Sequence, residues 1–394
     1  MQTEADGNSY HPDRRLAGTR TAPRRLRHLY CPGPKGMQRA VILGIPRGFA
    51  PDQAERQLPD VASARALLGA QAPIDVLLAE RAIAWASLLD AAGTALFART
   101  ADAVRLACAR LALRHGRLGS DFHAYHNEGH VLEICGDRID RLVANQGLAR
   151  VTLRDGCALM LFAAGHDLRQ REAPHLYAGV GANERASIEE TQRILDAAGF
   201  SRTQDADLYL ALELMIAGST FDARPPPGGY LYNAADLVQS GGALAAKLDL
   251  ALDAYRPGWR ADPMVAHGHA LALLAADLDT ANVSEPFATF ARTAENLCRE
   301  REMLAGRSLA AGESALPVLG FLTDGQERFF FELHRFHSEP GRATFEAGKQ
   351  ANAPRLRALA AGLRARFAQR GSPETGEQVI AAYRATLAEL LARG

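Results

Sequence analysis

The stretch AYHNEGHVLEI, residues 124–134, sets two histidines, His126 and His130, four apart at the head of a segment with helical rhythm. On a helix that spacing puts both imidazoles on one face, roughly 5–6 Å apart at Cβ. Three readings are open: a metal site, an acid/base pair, or a polar patch that opens a helix. The stretch is close to the HExxH pattern of zinc proteases. However, residue 127 is Asn, and the glutamate is Glu128, one place too late to be that motif's base. The pair alone does not choose among the three; the rest of the chain does.

Outward from this stretch the chain reads as helix. From residue 60 onward nearly every periodic segment has apolar residues at three–four spacing, among them DVLLAERAIAWASLLDAAGTALF, ADAVRLACARLALRHG and RDGCALMLFAAGHD. Gly147 and Gly199 fall where helix stops are expected. Alternating patterns are rare, and RAVILGIP at 39–46 is the one convincing short strand candidate. The fold class expected is all-α. Residues 60–120 are expected to form a helical N-terminal part, 120–340 the main helical domain, and 341–394 C-terminal helices packing on it. FDARPPPGGYLYN, residues 221–233, is the most obvious internal loop, and its Tyr230 and Tyr232 are open to two readings, stacking on a ligand ring or plain packing.

Residues 1–40 differ in kind. They are rich in Pro and Gly, and residues 1–39 carry eight Lys/Arg against three Asp/Glu. This composition is expected to give a disordered basic tail, and Met37 is an alternative start. The chain as a whole has 394 residues, is 47% hydrophobic and 23% charged, and carries no formal net charge. That is globular composition and gives no support to nucleic-acid binding as the main task. No apolar run approaches the roughly 20 residues of a membrane span. Five scattered cysteines fit a reducing, cytoplasmic setting, and the lack of a CxxC pair argues against a thiolate zinc site.

Two further features bear on His126 and His130. ALMLFAAGHDLRQ is an apolar helix that ends in adjacent His166 and Asp167. GHALALLAADLDTANVSEP is another, and it ends in Asp277 and Asp279. Asp277 comes directly after LALLAA, so it is expected to be the more buried of the two, with Asp279 facing solvent or capping the next segment. An unpaired buried carboxylate is too costly to keep. Helices that each deliver His or Asp from an apolar face make a metal box.

The order H…HD…D resembles the HD-domain superfamily of metal-dependent phosphohydrolases. YHNEGHVLEI is similar to the YHNxxHxxxV segment of its cyclic-nucleotide phosphodiesterase branch, and the likeness covers roughly residues 120–340. It implies a helical HD-domain, phosphodiesterase-like architecture. It also implies that His130, His166, Asp167 and Asp277 hold a first divalent ion, with Asp167 bridging to a second one held mostly by water. Mg, Mn, Zn or Fe all suit such donors. A water or hydroxide between the ions would attack phosphorus, and His126 would protonate the leaving oxygen. The substrate implied is a small phosphorylated molecule, a nucleotide phosphodiester or phosphomonoester, with neither membrane nor nucleic acid as partner.

Softer matches extend the resemblance. GANERASIEE looks like the family's acidic segment after the HD pair, which implies that Asn183 and Glu184 face the site; a plain helix start explains both equally well. Gln326 and Phe329 match the spacing of the residues that grip the base, although a core aromatic stripe accounts for Phe329 too. The chain also departs from the pattern. HDxxH is replaced by HDLRQ, with Arg169 and Gln170 in that area and His175 the nearest substitute. His267 and His269 read as surface or capping residues. The competing readings are an HD-fold di-iron oxygenase, which needs further histidine ligands, and a metal- or nucleotide-binding regulatory module with little turnover.

Overall fold

The computed structural model describes residues 48–69, 72–170, 182–220 and 244–393. The basic tail, the strand candidate at 39–46, His175 and the 221–233 loop with Tyr230 and Tyr232 lie outside the described residues. By compactness the chain divides into Met1–Gln38 and Arg39–Gly394, and every described residue belongs to the second unit. The protein is all-α, with no strand among the described residues. No single helix among them is long and apolar enough to cross a membrane.

The helices run in order α1 (Gln53–Gln57), α2 (Val61–Leu68), α3 (Pro73–Ala84), α4 (Ala91–Arg114), α5 (Glu128–Glu133), α6 (Ile139–Gln146), α7 (Leu153–Gly165) and α8 (Ala182–Ala197). They continue with α9 (Ala206–Ser219), α10 (Leu248–Tyr255), α11 (Pro263–Asp279), α12 (Phe287–Leu304), α13 (Ala315–Gly320), α14 (Gln326–Arg328), α15 (Glu339–Arg370) and α16 (Gly376–Ala392). Short polar side chains start many of them. Asp90, Thr152, Asp262, Ser338 and Thr375 each accept a backbone N–H from the first turn, which satisfies one of the orphan donors there. Gly147 comes directly after the end of α6 at φ 78°, a positive φ that glycine adopts without strain.

The core is built on α4, α7, α9 and α11, whose central turns are buried nearly all round. Such helices lack a polar face because other helices cover every side. α9 and α11 pack most intimately. A Cβ at Gly268 would stand 3.0 Å from Leu214 Cδ1 and 3.5 Å from Ala211 Cα, so glycine is what lets the two helices approach. This apolar frame fixes where α7 and α11 end, and those ends carry the chemistry.

α1 is held to the frame by ions. Glu55, in α1, pairs with Arg110 of α4 at 3.3 Å, Arg169 at 3.2 Å and Arg193 of α8 at 2.7 Å. Glu190 of α8, fully buried, takes Arg110 at 3.3 Å and Arg114 at 3.1 Å. Arg169 belongs to this network, which anchors the chain two residues after Asp167.

Candidate metal centre

Asn127 begins the site. Its Oδ1 accepts from the Gly129 N–H at 2.7 Å, and its Nδ2 donates to the His123 carbonyl at 2.6 Å. It is thus the N-cap of α5, and it puts His130 in the first turn of that helix. α5 runs through a π-helical turn, Ile134–Arg138, into α6. Arg138, buried in that turn, donates to Glu285 at 2.8 Å and to the carbonyls of Leu278 at 3.1 Å and Asp279 at 2.6 Å. A guanidinium on the last carbonyls of α11 satisfies orphan acceptors and complements the helix dipole. It also ties the end of α11 to the helix that carries His130.

α7 delivers the next two groups, because its apolar face is exhausted at Gly165 and the chain turns out at His166 and Asp167. His130 Nε2 lies 3.0 Å from Asp279 Oδ1 and 3.9 Å from Asp167 Oδ2. His166 Nε2 lies 3.0 Å from Asp167 Oδ2 and 3.4 Å from Asp279 Oδ1. Donor atoms of His130, His166 and Asp279 all fall within 4.8 Å of one another.

Asp277, expected as the fourth ligand, is not in this group. Its carboxylate accepts from the backbone N–H of His337 at 2.7 Å, the N–H of Ser338 at 2.8 Å and the Ser338 hydroxyl at 2.6 Å. It is fully buried, as its apolar context suggested, but against the start of α15. Gly341 makes room for it, since a Cβ there would meet Asp277 Oδ2 at 2.1 Å. Burial pushes its carboxyl up to about 6 against the lowering effect of these donors. Asp279, not Asp277, stands with His130 and His166 in the candidate cluster.

The donors fit a cation. His166 Nδ1 is 3.1 Å from the Ala163 carbonyl, to which it donates, so Nε2 is the nitrogen that faces the carboxylates. Yet His166 Nε2 and Asp167 Oδ2, both buried, make no hydrogen bond of ordinary geometry. Buried polar atoms seldom go without a partner. Burial disfavours charge on His166, but Asp167 and Asp279 outweigh it and hold the imidazole well above its ordinary range. Asp167 is driven down to about 2 despite its burial, chiefly by His166 and His126. The site therefore favours positive charge between these side chains.

His126 stands apart from this cluster, its ring centroid 6.2 Å from that of His130 and its side chain 28% exposed. Its Nδ1 lies 2.5 Å from Glu300 Oε1, and the backbone N–H groups of Tyr125 and His126 both donate to Glu300 Oε2 at 2.9 Å. Burial lowers its pKa, but Glu300, then Asp167, raise it to about 9. His126 is therefore a protonated imidazole at neutral pH, oriented by a buried carboxylate from α12.

Glu184, in the first turn of α8, is close enough for the charges of Asp167, His166 and His126 to act on it; burial and Asp167 raise its pKa. Asn183 precedes it on the same turn. Gln170, in the HDLRQ departure, donates from Nε2 to Asp167 Oδ1 at 2.9 Å. Gln326 opens α14 and is buried. The Phe329 ring lies 5.6 Å from that of His334, whose Nε2 is 3.1 Å from Thr280 Oγ1, one residue past Asp279. His267 pairs with Asp155 at 2.7 Å on an exposed face, and His269 packs on Trp259.

Sequence reasoning missed Glu300, which sits in the polar run AENLCREREML with nothing to set it apart. No family model, curated protein or solved structure matches the chain.

Proposed function

We propose that this protein is an HD-type, metal-dependent phosphohydrolase acting on a nucleotide phosphodiester or phosphomonoester. One observation carries the reading: His130, His166, Asp167 and Asp279, from the ends of three helices, converge, and their two buried donor atoms His166 Nε2 and Asp167 Oδ2 face each other at 3.0 Å without ordinary hydrogen-bond geometry. These four residues would hold the ion, and Mg, Mn, Zn or Fe suits their oxygen and nitrogen donors. When bound, such an ion supplies Lewis acidity toward phosphoryl oxygens and makes water more acidic.

The chain's own residues do the rest. His126 holds its proton at neutral pH and passes it to the departing oxygen, which is the task of a general acid. Glu300 keeps the His126 ring in place and keeps it charged. Gln170 holds Asp167 in register, and Glu184 adds a titratable group within reach of the charges of Asp167, His166 and His126. Gln326 and Phe329 are the candidates to grip a base.

The test is hydrolysis of 3′,5′-cyclic AMP, cyclic GMP and nucleoside monophosphates by metal-stripped protein resupplied with Mn, Mg or Zn, beside an Asp167→Ala control. Metal-dependent turnover that the control lacks is expected. Bound metal with no turnover of any phosphate ester would overturn the hydrolase reading and favour a binding module.

A further inference from the structure

A second group of side chains lies just before the YHN segment. α4 ends at Arg114 with His115 as its C-cap, and the chain then doubles back so that the His123 N–H donates to the His115 carbonyl at 2.8 Å. The turn is tight. A Cβ at Gly119 would stand 2.6 Å from the Leu113 carbonyl oxygen and 2.8 Å from that of Arg114. This geometry brings the His115 and His123 rings together, with centroids 4.1 Å apart and planes tilted by 42°. Asp121 Oδ2 lies between them, 3.3 Å from His115 Nδ1 and 3.3 Å from His123 Nε2. One donor atom from each of the three residues falls within 4.8 Å of the others.

A second, independent observation points to a ligand. The His115 side chain is 3% exposed, and neither of its ring nitrogens makes a hydrogen bond of ordinary geometry, the 3.3 Å approach to Asp121 included. A buried imidazole with both nitrogens unsatisfied is a costly arrangement. His123, wholly buried, has Nδ1 3.2 Å from Glu300 Oε1. A carboxylate behind one ring nitrogen orients the other toward an ion, the usual outer support of a histidine metal ligand. The Asp121 side chain is 37% exposed, which gives an ion a way in and leaves room for water.

We propose that His115, Asp121 and His123 form a second cation site, separate from the His130–His166–Asp279 centre, which takes Zn²⁺ or a similar borderline divalent ion. Two imidazoles, one carboxylate and a water complete a tetrahedral set. The site braces the turn that leads into His126, and Glu300 joins the two regions because its Oε1 reaches both His123 and His126.

The experiment counts zinc per chain by elemental analysis and measures affinity by chelator competition on the purified full-length protein. Asp121→Asn and, as a second variant, His115→Gln are each made in the wild type and in Asp279→Asn, with circular dichroism to verify folding. Each is expected to remove one tight zinc site in both backgrounds, weakening it by at least about 100-fold. Glu300→Gln is expected to weaken the same site by about 10–100-fold, as loss of an outer hydrogen bond does. Folded Asp121→Asn and His115→Gln proteins that keep the wild-type zinc count overturn the proposal. So does an Asp279→Asn protein that is folded and holds no zinc. Loss of one zinc from Asp279→Asn, with one tight zinc kept, reports on the first centre, so the two readings fail separately.

Discussion

The two carboxylates at the end of α11 give the sharpest test. Asp279 Oδ1 lies 3.0 Å and 3.4 Å from the facing nitrogens of His130 and His166. Asp279→Asn keeps the shape and removes the charge. A unit charge pair at about 4 Å is worth roughly 4 kcal/mol at an effective dielectric of about 20, which is about a thousandfold in Kd. Asp277→Asn does something else. The carboxylate holds three donors at the start of α15, and the amide cannot accept from all of them in the same way. Losing one hydrogen bond to a charged group costs about 1.5–3 kcal/mol. The assay pairs chelator competition for metal affinity with urea unfolding for stability. Asp279→Asn is expected to lose metal with little change in stability, and Asp277→Asn to lose stability with metal affinity within about tenfold. If Asp277→Asn loses metal more than 100-fold while Asp279→Asn stays near wild type, the assignment of the ligand is refuted.

Other outcomes rest on the same contacts. His126 is held up to about 9 by Glu300 against its burial, so its proton is present at neutral pH and activity falls as pH rises through that value. In Glu300→Gln the alkaline limb of the kcat profile moves down toward the ordinary imidazole value near 6.5; a limb that stays in place rules out the pairing. Glu190→Gln leaves Arg110 and Arg114 short of a buried partner and is expected to cost about 3–5 kcal/mol in urea unfolding. Gly341→Ala forces a methyl group onto Asp277 and is expected to cost about 1–3 kcal/mol, with the loss falling in stability rather than metal affinity. Gln170→Ala frees Asp167 Oδ1, and metal binding is expected to weaken about 10-fold by the same competition assay.

The sequence by itself determined the local features. Helical periodicity sufficed for the all-α class, because the three–four spacing of apolar residues is a property of each segment alone. His126 and His130 were legible as a pair from their spacing, although only His130 lies on the helix and His126 precedes its N-cap Asn127; His166 with Asp167 were legible because an apolar helix must end before polar groups emerge. The choice between Asp277 and Asp279 was of another kind. Residues two apart on a helix differ by about 200° in direction, so one faces the histidines and the other faces away. The apolar run before Asp277 correctly marks it as buried, but burial does not say against what. Only the packing of α15 on the end of α11, sixty residues later in the chain, shows that its partners are His337 and Ser338. Glu300 and the turn from His115 to His123 were hidden for the same reason. Nothing in a polar stretch of α12 says that its glutamate meets an imidazole 174 residues earlier. Hydrogen bonds and ion pairs between distant segments have no sequence period; they exist once the core has fixed which helix ends meet.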